Sequence, residues 1–246
     1  MKMRTIMNLV YGTKDEDSQK LDLYLPEQEE FDILVYFHGG GLEAGDKAEG
    51  QYLRDKMLEE GYAIASANYR MYPAAHFPEF LEDGAEAVNW VLQHISQYGK
   101  AKKIYIGGSS AGAYITAMLA FDPSYLGTYG IRTTDICGYL INSAQTTTHF
   151  NVLRERGLDT RRLLVDEAAP VYHIKEDSEY SRYLILVSDR DMPCRYEQNL
   201  VLKKTLTMFG CPEEQITFQV LEGFGHCAYM GSDVYTDAVL AFLKEA

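Results

Sequence analysis

Apolar residues fall into short dense runs, separated by stretches in which they recur every third or fourth position. Leu21, Leu23 and Leu25 alternate with Asp22 and Tyr24 until Pro26 ends the run, the period-two pattern of a strand. An earlier strand is expected over Arg4 to Val10. The runs at 32–37 (DILVYF) and 62–69 (YAIASANY) are nearly all apolar, as in strands buried on both faces, and 102–107 (KKIYIG) is a further strand. Further runs lie at 136–142 (ICGYLIN), 183–188 (YLILVS) and 216–222 (ITFQVLE). Phe80, Ala87, Val88, Val91, Leu92 and Ile95 recur at helical spacing and Gly99 closes the pattern as a C-cap. Residues 111–121, about 196–209 and 233–244 also have helical character. This alternation predicts an α/β fold, a mostly parallel central sheet with helices on both faces. Ligands in such folds bind beyond the carboxyl ends of the strands.

Length and charge narrow the class. With 246 residues, 46% of them hydrophobic, the chain can bury one large core, so a single domain over 1–246 is expected. A small cap excursion is expected at about 143–180. The net charge of −13, from 36 acidic against 23 basic residues, argues against nucleic acid or an anionic membrane as partner. The apolar run from Ile6 to Tyr11 is broken by Asn8 and is shorter than the ~7–15 residues of a signal-peptide core. No run approaches the ~20 apolar residues of a membrane helix. A cytoplasmic location is expected. The four cysteines, Cys137, Cys194, Cys211 and Cys227, have no CxxC or zinc spacing, so free thiols and no metal or cofactor are expected. Oligomeric state stays open, a homodimer included.

The candidate chemistry begins at "IYIGGSSAGAYITAML", residues 104–119. A serine at the apex of a sharp strand-to-helix turn presents its hydroxyl near the positive end of the helix. The residues two before and two after must be tiny, because strand and helix nearly touch. Gly108 and Gly112 satisfy this for Ser110. Gly107 and Ala111 fit Ser109 less well, so Ser110 is the candidate nucleophile and Ser109 a spacer. The second signal is "YFHGGGLEAGDK", residues 36–47. His-Gly-Gly-Gly is expected about 0.003 times by chance in this composition, which favours a built loop. Backbone N–H groups of Gly40 and Gly41, with that of Ala111, are candidate donors to the oxyanion of an acyl-transfer intermediate. His38 is expected to fix this loop by hydrogen bonds, and Leu42 to border the substrate pocket.

Together, "HGGG", "NYRMYPAAHFPEFLEDGAEAVNWV" and "GGSSAG" resemble the α/β-hydrolase superfamily. They are most similar to hormone-sensitive-lipase-like esterases and to acetyl-xylan and feruloyl esterase-like carboxylesterases. The resemblance implies oxyanion donors at Gly40, Gly41 and Ala111, and structural roles for Tyr69, Arg70 and Asp83. It also implies the chain order serine, acid, histidine. Of six histidines, His226 alone follows the final strand, on a loop with Gly223 and Gly225, and is the expected base. The family pattern of strand, glycine, two residues, aspartate and nearby proline puts the acid at Asp191. Asp189 then reads as a solvated loop charge. Ser188 departs from that pattern, standing where the family has glycine. Cys194 and Cys227 lie beside the acid and the base, and a disulfide between them is a lesser alternative to free thiols.

The expected activity is a serine hydrolase cleaving small or short-acyl carboxylic esters through an acyl-enzyme. Only 37 residues precede "HGGG", which predicts an open cleft. An amidase, arylformamidase or peptidase with the same triad is the alternative within the fold, and a non-catalytic ligand-binding relative is the alternative outside catalysis. Arg154, Arg156, Arg161 and Arg162 are read as a solvated helical face.

Overall fold

From Ile33 to Phe37 the side chains alternate between two hydrophobic clusters. Ile33, Val35 and Phe37 enter one, Leu34 and Tyr36 the other, which is why the sequence lacks polar positions there. The computed structural model describes residues 3–245; residues 1, 2 and 246 of the domain expected over 1–246 lie outside them. Among the described residues one sheet contains β1 (Arg4–Val10), β2 (Lys20–Leu25), β3 (Glu30–Phe37), β4 (Ala63–Ala67), β5 (Lys100–Ser109), β6 (Gly138–Asn142), β7 (Tyr183–Arg190) and β8 (Ile216–Gly225). Their order is β1-β2-β4-β3-β5-β6-β7-β8. β2 runs antiparallel to both β1 and β4, and every pair from β4 to β8 is parallel.

The helices are α1 (Gln51–Glu59), α2 (Glu79–His94), α3 (Ala111–Phe121), α4 (Pro123–Gly127), α5 (Phe150–Glu155), α6 (Arg195–Met208) and α7 (Asp233–Lys244). α1 and α7 cover one face through Leu53, Met57, Tyr235 and Val239. α2, α3 and α6 cover the other through Phe80, Val88, Ile115 and Leu202. Every residue of α3 is buried, consistent with a helix apolar all round.

The sequence pattern did not predict α1. Only Leu53 and Met57 of its nine residues are buried, too sparse a stripe to read against its charged neighbours. The region 143–180 holds the short helix α5 and one 3₁₀ turn, Pro170–His173, and is otherwise loop. No helix among the described residues is long and apolar enough to cross a membrane.

Candidate active site

β5 turns into α3 through Ser110, whose φ of 54° and ψ of −111° are strained for a residue with a side chain. Steric crowding fixes this turn. A Cβ on Gly112 would lie 2.0 Å from the Phe37 carbonyl oxygen, and one on Gly108 would lie 2.4 Å from the Gly112 carbonyl carbon. Both positions therefore require glycine. Ser109, immediately before, faces inward and is buried; its Oγ lies 2.5 Å from the Tyr36 phenol and accepts from Asn142 Nδ2 at 2.9 Å.

The Ser110 hydroxyl donates to His226 Nε2 at 2.8 Å, and His226 Nδ1 donates to Asp191 Oδ1 at 2.5 Å. An ionised carboxylate only accepts, so the Nδ1 proton faces Asp191 and Nε2 is left to take the serine proton. Three segments, after β5, β7 and β8, thus meet in series. Asp191 Oδ1 also accepts the Met192 N–H at 2.7 Å, while Oδ2 accepts from Ser143 Oγ at 2.6 Å and Ser188 Oγ at 3.2 Å. Burial pushes this carboxyl upward, but the bonds from His226 and Ser143 outweigh it and hold its pKa at about 2. Ser188, the departure from the family's glycine, supplies one of these donors and also reaches the Gly225 carbonyl at 3.3 Å. Asp189 points elsewhere: exposed, it accepts the Gly223 N–H at 2.7 Å and so ties the end of β7 to the end of β8, just before His226.

The glycine loop is held by its carbonyls. That of His38 accepts from the Tyr69 phenol at 3.0 Å, and that of Gly39 from His38 Nδ1 at 2.7 Å. The Gly40 carbonyl accepts from the Ala44 N–H at 3.0 Å, and that of Gly41 from Asn151 Nδ2 at 3.0 Å. A trans peptide directs its N–H opposite to its carbonyl, so the N–H groups of Gly40 and Gly41 point away from these anchors. Gly40 and Gly41 have φ of 104° and 67°, and a Cβ on Gly40 would lie 1.9 Å from the Ala44 oxygen. His38 stacks on Tyr69, ring centroids 4.5 Å apart, in keeping with a loop-fixing part. Asp83, fully buried, binds Arg70 at 2.7 Å, and Arg70 follows Tyr69 in the chain.

These groups face a cleft of about 400 Å³ lined by Gly39–Gly41, Ser110 and His226, with Tyr36, Phe150, Met192 and Met230 as its apolar walls. Leu42 corrects the sequence reading. Its φ of 64° turns the side chain back into the core, where it is 0% exposed and does not line the cleft. Phe150, on α5, packs against Gly41 and lines the cleft, its ring 2.8 Å from a Cβ built on that glycine. Asn151 and Ser143 were missed because nothing in the sequence marks a lone amide or hydroxyl as a support; their partners lie 110 and 48 residues away.

The remaining histidines stay apart from this series. His149 is buried and held well below the usual range by that burial, and its Nδ1 accepts the Asn151 N–H that starts α5. Of the arginines, Arg154 pairs with Glu43, Arg156 with Asp166 and Glu167, and Arg161 with Asp159. All four cysteines are free. Cys227 Sγ lies 3.8 Å from His226 Nε2, and burial pushes its thiol up to about 12, so it stays protonated. No cluster of metal-ligating side chains occurs among the described residues.

The BD-FAE family model matches residues 21–129, a segment that includes the glycine loop and Ser110 and ends before Asp191 and His226. The isoprenylcysteine alpha-carbonyl methylesterase ICME of Arabidopsis thaliana is 33% identical over 113 residues, 45% of this chain and 26% of that protein. Kynurenine formamidase of Danio rerio is 30% identical over 118 residues, 47% of this chain and 39% of that protein. The chain thus spans well under two thirds of either relative. Among solved structures, a truncated carbohydrate esterase from gut microbiota superposes with a TM-score of 0.80 at 17% identity, covering 98% of this chain and 95% of that one.

Proposed function

We propose that this chain, which has the α/β-hydrolase fold and matches esterase-type proteins over part of its length, is a serine hydrolase cleaving small, uncharged carboxylic esters through an acyl-enzyme. Ser110 Oγ attacks the ester carbonyl while His226 Nε2 takes its proton; the tetrahedral oxyanion is held by the N–H groups of Gly40, Gly41 and Ala111. The imidazolium, stabilised by Asp191, then returns the proton to the leaving alkoxide. Water repeats the sequence on the acyl-serine and releases the acid.

The observation that carries this reading is the unbroken series Ser110–His226–Asp191 at 2.8 and 2.5 Å, built on a strained turn whose serine lines the cleft. Anionic substrates are disfavoured because no lysine or arginine among the described residues lines the cleft, whereas Glu43 and Glu49 do. The test is turnover of p-nitrophenyl acetate: Ser110→Ala is expected to reduce it to the buffer rate, and retained turnover would falsify the assignment.

A second reading, cleavage of an N-formyl amide, is favoured by the similarity to kynurenine formamidase. The same histidine can protonate an amine leaving group. Comparing kcat/KM over acetyl, feruloyl and N-formyl substrates separates the two.

A further inference from the structure

Ser143 follows β6 directly and sits at a φ of 55°, a left-handed backbone that a residue with a Cβ disfavours. Glycine would suit the turn better; the hydroxyl is what glycine lacks. Ser143 is 0% exposed and its polar atoms are all engaged. Its N–H donates to the Leu186 carbonyl of β7 at 2.7 Å, and its carbonyl accepts from Arg195 Nη1 of α6 at 2.6 Å. Its Oγ donates to Asp191 Oδ2 at 2.6 Å and lies 2.8 Å from the Tyr229 phenol. Tyr229, also 0% exposed, donates in turn to Asn142 Oδ1 at 2.6 Å. Asn142 Nδ2 reaches Ser109, the residue before the candidate nucleophile.

We propose that Ser143 is a positioning residue, clamped through its backbone from β7 and α6 so that its hydroxyl fixes the carboxylate plane of Asp191 and through it the ring of His226. The inference rests on the serine-hydrolase reading. A carboxylate held on Oδ1 alone can swing about its own axis; a donor on Oδ2 stops that swing and keeps Oδ1 in line with Nδ1. Small misplacements of such groups are expensive in rate. Ser188 also reaches Oδ2, but at 3.2 Å and shared with the Gly225 carbonyl, so Ser143 is the principal restraint.

The test compares Ser143→Gly with Ser143→Ala. Both remove the hydroxyl, but only Gly also relieves the backbone. Both are expected to lower kcat on p-nitrophenyl acetate by about 10- to 100-fold, with KM within about threefold. Ser143→Gly is expected to melt above Ser143→Ala. The low-field proton resonance of His226 Nδ1 should also move or broaden in Ser143→Gly. A Ser143→Gly enzyme with wild-type kcat overturns the proposal, as does a loss confined to Ser143→Ala, which would trace to backbone strain. Ser110→Ala is assayed alongside. If it is inactive while Ser143→Gly is normal, only this inference fails; if it stays active, the hydrolase reading fails and takes this inference with it.

Discussion

The two sides of the candidate site are held in place by different physics. At the nucleophile turn, backbone meets backbone: Gly108 and Gly112 leave no room for a Cβ between α3 and the end of β3, so packing alone dictates where Ser110 stands. On the acid side there is no such crowding. Asp191 is oriented by directed hydrogen bonds from Ser143, Ser188, the Met192 N–H and His226, drawn from three separate segments. The first side is rigid because overlap is forbidden, the second because donors converge. Damage on the first should therefore appear as lost stability, and damage on the second as lost rate.

That contrast can be broken in order of expected effect. Asp191→Asn removes the carboxylate that fixes the histidine tautomer, and kcat on p-nitrophenyl acetate is expected to fall by about 10⁴-fold while the fold survives. Steady-state kinetics with a circular dichroism control checks this. Gly112→Ala is expected to do the opposite, costing about 3 kcal/mol or more of stability because its methyl would collide with the Phe37 carbonyl. A urea titration measures it, and an unshifted midpoint would contradict the steric account.

The acid side also carries a pH signature. Asp191 titrates at about 2 in the folded protein, below its ordinary value near 4 in an unfolded chain. The folded state therefore binds this proton more weakly. The resulting stability, roughly 2 kcal/mol, is fully present above about pH 4 and is lost as pH falls through 2. The gap in urea midpoint between wild type and Asp191→Asn should accordingly shrink between about pH 5 and pH 2. The smallest effect is expected at the glycine loop. Asn151→Ala frees the Gly41 carbonyl, and kcat/KM should drop about tenfold as Gly41 itself is no longer held in place.

The same contrast explains what the sequence made legible. Steric requirements leave a mark in composition: small residues at fixed spacing around Ser110, and an apolar run through residues 33–37 of β3, each readable without coordinates. The chain order implied by the resemblance, with the loop after the last strand, singled out His226 among the six histidines as the expected base. Hydrogen-bond supports leave no such mark. Ser143 meets Asp191 because β6 and β7 are neighbours in the sheet, and Asn151 meets Gly41 because α5 folds back over the loop after β3. Leu42 misled for a related reason: one left-handed residue reverses the direction of a side chain, and hydrophobicity alone does not reveal the sign of φ.

The central claim is most directly tested by treating the protein with a fluorophosphonate and mapping the adduct by mass spectrometry. The account predicts a single modification, on Ser110, formed rapidly in wild type and lost in His226→Ala. Modification of any other serine, or a Ser110 adduct that forms at the same rate without His226, would contradict it.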